Sequence, residues 1–146
     1  MALRIDSTIL HVAVTSFALN LIWENAQMPF YAGYLGFAKH FPMCLIASIG
    51  DVALIVLTYF GTRNLKLSLL WLAALSAVLA IVIEVGSLRI GLWKYAPGMP
   101  LLPLLHVGLL PFIQLPLTAL LSVKLSNSTV KYFAKTGVGK PYLNVE

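Results

Sequence analysis

The chain has 146 residues, of which 60% are apolar and 10% charged, with a mean hydropathy of +0.89. About a quarter of residues are charged in an ordinary soluble domain, so this composition excludes that class and fits a single integral membrane domain. The formal charge of +5 falls outside the apolar runs, and no DNA- or RNA-reading motif accompanies it. It is therefore assigned to topology and the lipid surface, with no nucleic acid as partner.

The first apolar segment runs from about Thr8 to Met28 and passes directly into Trp23-Glu24 without a small-residue cleavage site, so it is read as a retained span rather than a signal peptide. Pro29, Gly33, Gly36, Lys39, His40 and Pro42 follow as a loop of helix breakers and interfacial residues. The second span, 43–60, is interrupted only by Gly50-Asp51, and the polar turn Gly61-Thr62-Arg63-Asn64 separates it from a third, 67–85. Residues 86–103 are irregular and interface-like, with Arg89, Trp93, Lys94, Tyr95 and three prolines. The fourth span, 104–123, is expected to kink at Pro111 and Pro116. A polar tail, 124–146, is expected to be partly disordered at its end. Each run is near the ~20 residues that cross a ~30 Å hydrocarbon core. The expected fold is an all-α integral membrane protein, four transmembrane helices in one compact bundle.

Alternate sides of that topology carry seven and three Lys or Arg residues. Arg4, Arg63, Lys66, Lys124, Lys131, Lys135 and Lys140 outweigh Lys39, Arg89 and Lys94, which places both termini in the cytoplasm. Only five acidic residues occur, and three of them, Glu24, Asp51 and Glu84, lie within or at the rim of apolar runs. Counted along the helices, Glu24 lies ~6 Å from the outer end of its span and His106 ~3 Å, Glu84 is next to the end of its own, and Asp51 and Gln114 enter from the same side by ~12 and ~15 Å. The acids are thus expected to converge in the outer half of the bundle.

Helical period supports that convergence. Ser16, Asn20, Glu24, Gln27 and Tyr31 form one stripe on the first helix; Cys44, Ser48, Asp51 and Thr58 form one on the second. Ser76, Ala80, Glu84 and Ser87 share a face of the third, and His106, Gln114, Thr118 and Ser122 nearly do so on the fourth. Four such helices turn their stripes toward one another, because an unpaired polar group in hydrocarbon costs several kcal/mol.

The bland reading of the acids is structural hydrogen bonding to a neighbouring helix, or to Arg89 or Lys94. Intramembrane acids are functional by default, however, and three at one site strengthen that reading. Gln27 and Gln114 read equally as interhelical glue and as site residues, His106 as a rim residue, and Trp93 and Tyr95 as belt anchors that also line a substrate mouth. The single Cys44 gives no disulfide framework, and the three carboxylates with His106 match no known ligand spacing, so no metal or cofactor is expected. Trp23-x-x-Ala26-x-Met28-Pro29 and Trp93-x-x-Ala96-x-x-Met99-Pro100 look alike after one gap, a faint sign of a two-helix duplication.

The set Trp23-Glu24, Gln27, Pro29, Tyr31, Gly50-Asp51, Glu84, Gly91, Trp93, Tyr95, Met99-Pro100, Gly108-Leu109, Pro111 and Gln114 resembles an uncharacterised family of small four-span bacterial membrane proteins. That family has a His-Cys pair before its Gly-Asp and a Glu-Trp-Leu-Asn group where this chain has Glu84-Val85-Gly86-Ser87. The resemblance implies a fold and a bacterial inner-membrane location. A weaker similarity, through Glu24 and a second acid, links the chain to membrane-embedded isoprenoid cyclases of the lycopene and meroterpenoid types, in which buried acids protonate or deprotonate a polyene.

The leading expectation is a membrane enzyme using acid/base chemistry on a lipophilic, isoprenoid- or carotenoid-like molecule. Its catalytic groups would be Glu24, Asp51 and Glu84. Asn20, Gln27, Tyr31, Trp93, Tyr95, His106 and Gln114 would bind substrate. The rival is an accessory or scaffold subunit of a larger membrane complex, holding lipid, pigment or partner helices.

Overall fold

The computed structural model describes residues 7–136, with side chains described through 129. Its elements are four helices, α1 (Ser7–Gln27), α2 (Phe37–Asn64), α3 (Leu69–Ile90) and α4 (Leu109–Thr136), with a short 3-10 turn, Met28–Phe30, after α1. There is no strand among the described residues beyond two isolated bridges. The helices α2, α3 and α4 are long and apolar enough to cross a membrane, which marks the chain as a membrane protein. α1 is less apolar because Asn20, Glu24, Asn25 and Gln27 interrupt it.

The bundle is inverted relative to a soluble one. Among the described residues, thirteen buried side chains are polar or charged and ten apolar, while Leu10, Ile22, Leu57, Leu70 and many similar side chains face outward. Such an exterior is stable only against lipid or another apolar surface. Inside, the stripes expected from periodicity are the buried faces: Ser16, Asn20, Glu24 and Gln27 on α1, Cys44 and Ser48 on α2, Ser76, Ala80, Glu84 and Ser87 on α3, and Gln114, Thr118 and Ser122 on α4. Asp51 and Thr58 continue the α2 face but are only half-buried. α1 packs against α2 and α4, α4 packs against α3, α2 and α3 meet more loosely than these, and α2 and α4 barely touch.

Helix ends depart from the sequence reading by several residues. α2 begins at Phe37, so Lys39, His40 and Pro42 are helical rather than loop. Pro42 stands just beyond the first turn, where its missing N–H removes only one ladder bond. α3 continues past Val85 to Ile90, where Gly91 adopts φ 74°. The Leu92 N–H then bonds Ser87 O at 2.9 Å and the Gly91 N–H bonds Leu88 O at 3.3 Å, the paired closure of a Schellman end.

α4 starts at Leu109, not 104, because Leu104 and His106 have φ of 72° and 53° and cannot sit in a right-handed helix. The expected kink sites do not end α4: Pro111 falls in its first turn, where no donor is needed, and Pro116 lies inside an unbroken helix. Residues 124–136, assigned to the polar tail, prolong α4. Arg4, Lys140 and the end of the tail lie outside the described residues.

One end of the bundle is closed by two paired connections. The Ala32 N–H donates to Lys94 O and the Ala96 N–H to Phe30 O, each at 2.8 Å, joining the segment after α1 to the segment after α3. The Leu102 N–H donates to Val107 O and the Leu109 N–H to Pro100 O, each at 2.7 Å, folding 100–109 into a tight hairpin-like loop. Tyr31, Trp93 and Tyr95 are carried on this cap.

Candidate functional site

Beneath the cap lies a cavity of about 500 Å³ whose lining includes Glu24, Gln27, Asp51, Glu84, Trp93 and Gln114. Each helix contributes at least one of these residues, as the inward stripes require.

Gln114 is the junction. Its Nε2 donates toward Glu24 Oε1 at 2.7 Å, Asp51 Oδ2 at 2.8 Å and Asn20 Oδ1 at 3.1 Å, tying α4 to α1 and α2. An amide nitrogen carries two hydrogens, so three acceptors share them. The Thr118 hydroxyl, 3.2 Å from Asn20 Oδ1, supplies a further donor to that oxygen. The Gln27 Nε2 donates to Gln114 Oε1 at 2.7 Å and to Glu24 Oε1 at 3.1 Å, and its own carbonyl accepts from Trp23 Nε1 at 3.1 Å. Glu24 Oε2 and Asp51 Oδ1 receive no donor from any described residue.

Glu84 is held in a different way. Its Oε1 accepts from the Tyr31 hydroxyl at 3.3 Å, and its Oε2 accepts from Trp93 Nε1 at 3.1 Å and from the Tyr95 hydroxyl. The Tyr95 oxygen in turn accepts the Gly108 N–H at 2.8 Å. Tyr31 packs edge-on against Trp93 with ring centroids 6.2 Å apart and lies 5.6 Å from the Tyr95 ring. Burial first, and then the charge of Glu84, push the Tyr31 phenol above its usual range. Burial and the hydrogen bond to Glu84 do the same for Tyr95. Both hydroxyls therefore remain neutral donors. Glu84 anchors the aromatic cap, whereas Glu24 and Asp51 keep open oxygens at the cavity.

No family model, curated protein or solved structure matches this chain.

Of the residues singled out in the sequence, Glu24, Asp51, Glu84, Gln27, Tyr31, Trp93 and Gln114 all border the cavity. Asn20 stands behind it, bonded to Gln114, and Tyr95 stands behind Glu84. His106 is not brought to the site; it is exposed on the loop before α4 and does not border the cavity. The neighbours named for Glu84, Arg89 and Lys94, are replaced by the three aromatic donors.

Sequence reasoning missed His40. It borders the cavity from the first turn of α2, its Nδ1 accepting the Leu35 N–H at 3.3 Å and its ring lying 5.1 Å from that of Tyr34. The signal was present: His40 precedes Asp51 by eleven residues, close to three helical turns, and so shares its face.

Proposed function

We propose that the protein is a membrane-embedded acid/base enzyme acting on a lipophilic, isoprenoid-like molecule, with Glu24 and Asp51 as the exchanging pair. The observation that carries this reading is their shared contact with Gln114 Nε2 at the floor of a cavity whose other walls are largely apolar. Two carboxyl groups held against one amide cannot both carry full negative charge cheaply in a low-dielectric interior. One holds a proton and the other is a base, which is the arrangement that delivers a proton to a substrate and recovers one from it. Glu24 is the principal acid or base and Asp51 its partner. Glu84 serves by fixing Tyr31 and Trp93, which border the cavity with ring faces suited to a developing carbocation, and is itself held from behind by Tyr95.

The reading includes α1 as a fourth span, its polar stripe covered by α2 and α4, in a bacterial inner membrane with both termini cytoplasmic. The cavity then opens in the outer half of the bilayer. Support comes from the excess of Lys and Arg on the termini and the second connection, and from the resemblance to isoprenoid cyclases.

Proton transfer to carbon leaves an isotopic mark whatever the substrate is. Wild-type protein in liposomes made from a bacterial lipid extract and held in D2O should place a single deuterium on one lipid species, read by mass spectrometry. Glu24→Gln and Asp51→Asn should lose that exchange while keeping helix content and melting temperature near wild type. Undiminished exchange in both variants, or none in the wild type, overturns the reading.

A further inference from the structure

We propose that the cavity accepts a single-chain lipid whose head is a hydrogen-bond donor, an alcohol or amine, admitted sideways through the seam between α2 and α3. The inference rests on the reading of this cavity as the substrate site and adds the class of molecule and its route.

The class follows from matching donors to acceptors around the cavity. Both hydrogens of Gln27 Nε2 are directed at Gln114 and Glu24, and those of Gln114 Nε2 at Glu24, Asp51 and Asn20. The Tyr31 and Trp93 donors are engaged by Glu84. What remains open at the floor is Glu24 Oε2 and Asp51 Oδ1, one a carboxylate acceptor and the other the oxygen that carries the pair's shared proton. The carboxylate oxygen faces a largely apolar cavity and accepts from any donor brought there, so a ligand head that carries an O–H or N–H, which can also accept from the carboxylic acid, is favoured over one that only accepts. No Lys or Arg borders the cavity. A phosphate, diphosphate or carboxylate head would meet the carboxyl pair with no Lys or Arg beside it, His40 being the one basic side chain on the border among the described residues, and is disfavoured.

The route follows from packing. α2 and α3 pack far more loosely than α1 with α2, α1 with α4 or α3 with α4. Of the bordering residues, Met43 on α2 is 59% exposed and Leu92 just after α3 is 66% exposed, and Gly50 is exposed beside Asp51. A Cβ placed on Gly50 meets no atom within 4 Å. The gap is therefore open at the level of the carboxyl pair, where a lipid tail can remain among bilayer chains while its head reaches the floor. A cavity of about 500 Å³ is within the range that encloses a small organic ligand.

The test uses the full chain in nanodiscs and four probes with one common tail: hexadecanol, hexadecylamine, hexadecyl methyl ether and hexadecyl phosphate. Binding is read from tryptophan fluorescence, since Trp93 borders the cavity. The alcohol and the amine should bind about tenfold or more tightly than the ether and the phosphate, the discrimination expected of a hydrogen bond to a charged acceptor. Gly50→Leu, which projects into the open gap, should abolish alcohol binding with helix content retained; should it fail to fold, Ala47→Leu on the same wall replaces it. Ether or phosphate binding equal to that of the alcohol, or wild-type binding by a folded seam variant, overturns the proposal. Binding is read without turnover. Deuterium transfer with no donor preference overturns this inference alone, whereas donor preference with no transfer overturns the acid/base reading alone.

Discussion

Gln114 Nε2 lies 2.7 Å from Glu24 Oε1, joining the fourth helix to the first at the most polar point of the interior. The same nitrogen reaches Asp51 and Asn20, so one side chain closes a three-helix network. Replacing it with leucine keeps the approximate volume but leaves buried acceptors on α1 and α2 unpaired. Gln114→Leu should lower stability by roughly 2–4 kcal/mol, the range for breaking a buried network that includes charged groups. Thermal unfolding in detergent checks this, and Gln114→Glu should recover part of the loss, increasingly as pH is lowered, because its carboxyl donates only when protonated.

The glycines at 108 and 50 should respond oppositely to alanine. A Cβ at Gly108 would stand 3.0 Å from the Pro111 ring and 3.1 Å from the Tyr95 hydroxyl, which also accepts the Gly108 N–H. Gly108→Ala should therefore destabilise by about 1–3 kcal/mol, as overpacking does, and shift Trp93 fluorescence by loosening the Tyr95–Glu84 contact. At Gly50 the added methyl enters open space within a helix. Gly50→Ala should be neutral, or stabilise by up to about 1 kcal/mol through helix propensity.

The tyrosines of the cap predict an alkaline limit. Free tyrosine titrates near pH ~10, whereas Tyr31 and Tyr95 have folded-state values raised first by burial. Folding thus favours their protonated forms, and the associated stability is complete below the unfolded value and declines as pH rises above it. Absorbance at the tyrosinate band should show a lagging fraction that titrates only on unfolding. Tyr31→Phe and Tyr95→Phe should each reduce that fraction. Tyr95→Phe should also destabilise by roughly 1.5–3 kcal/mol, since it removes bonds to both Glu84 and Gly108.

The inward faces were legible because helical period is a strong signal even when every residue around it is apolar. Ser16, Asn20, Glu24 and Gln27, or Ser76, Ala80, Glu84 and Ser87, can share a face in only one way. What periodicity does not give is where a helix begins. Lys39-His40-Pro42 has the composition of a loop, and only the tolerance of a helix start for proline lets α2 reach back to Phe37 and carry His40 into the site. His106 fails for the converse reason: apolar neighbours imitate a span, while its left-handed backbone, fixed by the turn between Pro100 and Leu109, removes it from the helix. The roles of Trp93 and Tyr95 were half legible. Trp93 borders the cavity while Tyr95 stands behind Glu84, and the donation of both to Glu84 depends on the Schellman end at Gly91, which turns the chain back over α3.

Two buried hydroxyls provide a final and opposite kind of prediction. Ser76 Oγ and Ser126 Oγ are fully enclosed, on α3 and α4, and find no hydrogen-bond partner among the described residues, although serines such as Ser48 and Ser122 bond back to the carbonyl four residues earlier. An enclosed hydroxyl without a partner opposes folding, and removing it relieves that penalty. Ser76→Ala and Ser126→Ala should accordingly be neutral or raise the melting temperature, while Ser122→Ala should lower stability by about 0.5–1.5 kcal/mol because a satisfied bond is lost. Thermal unfolding of the three variants under one detergent condition orders them. A loss at Ser76 as large as that at Ser122 would mean that its hydroxyl is satisfied by a group shared between helices in the membrane.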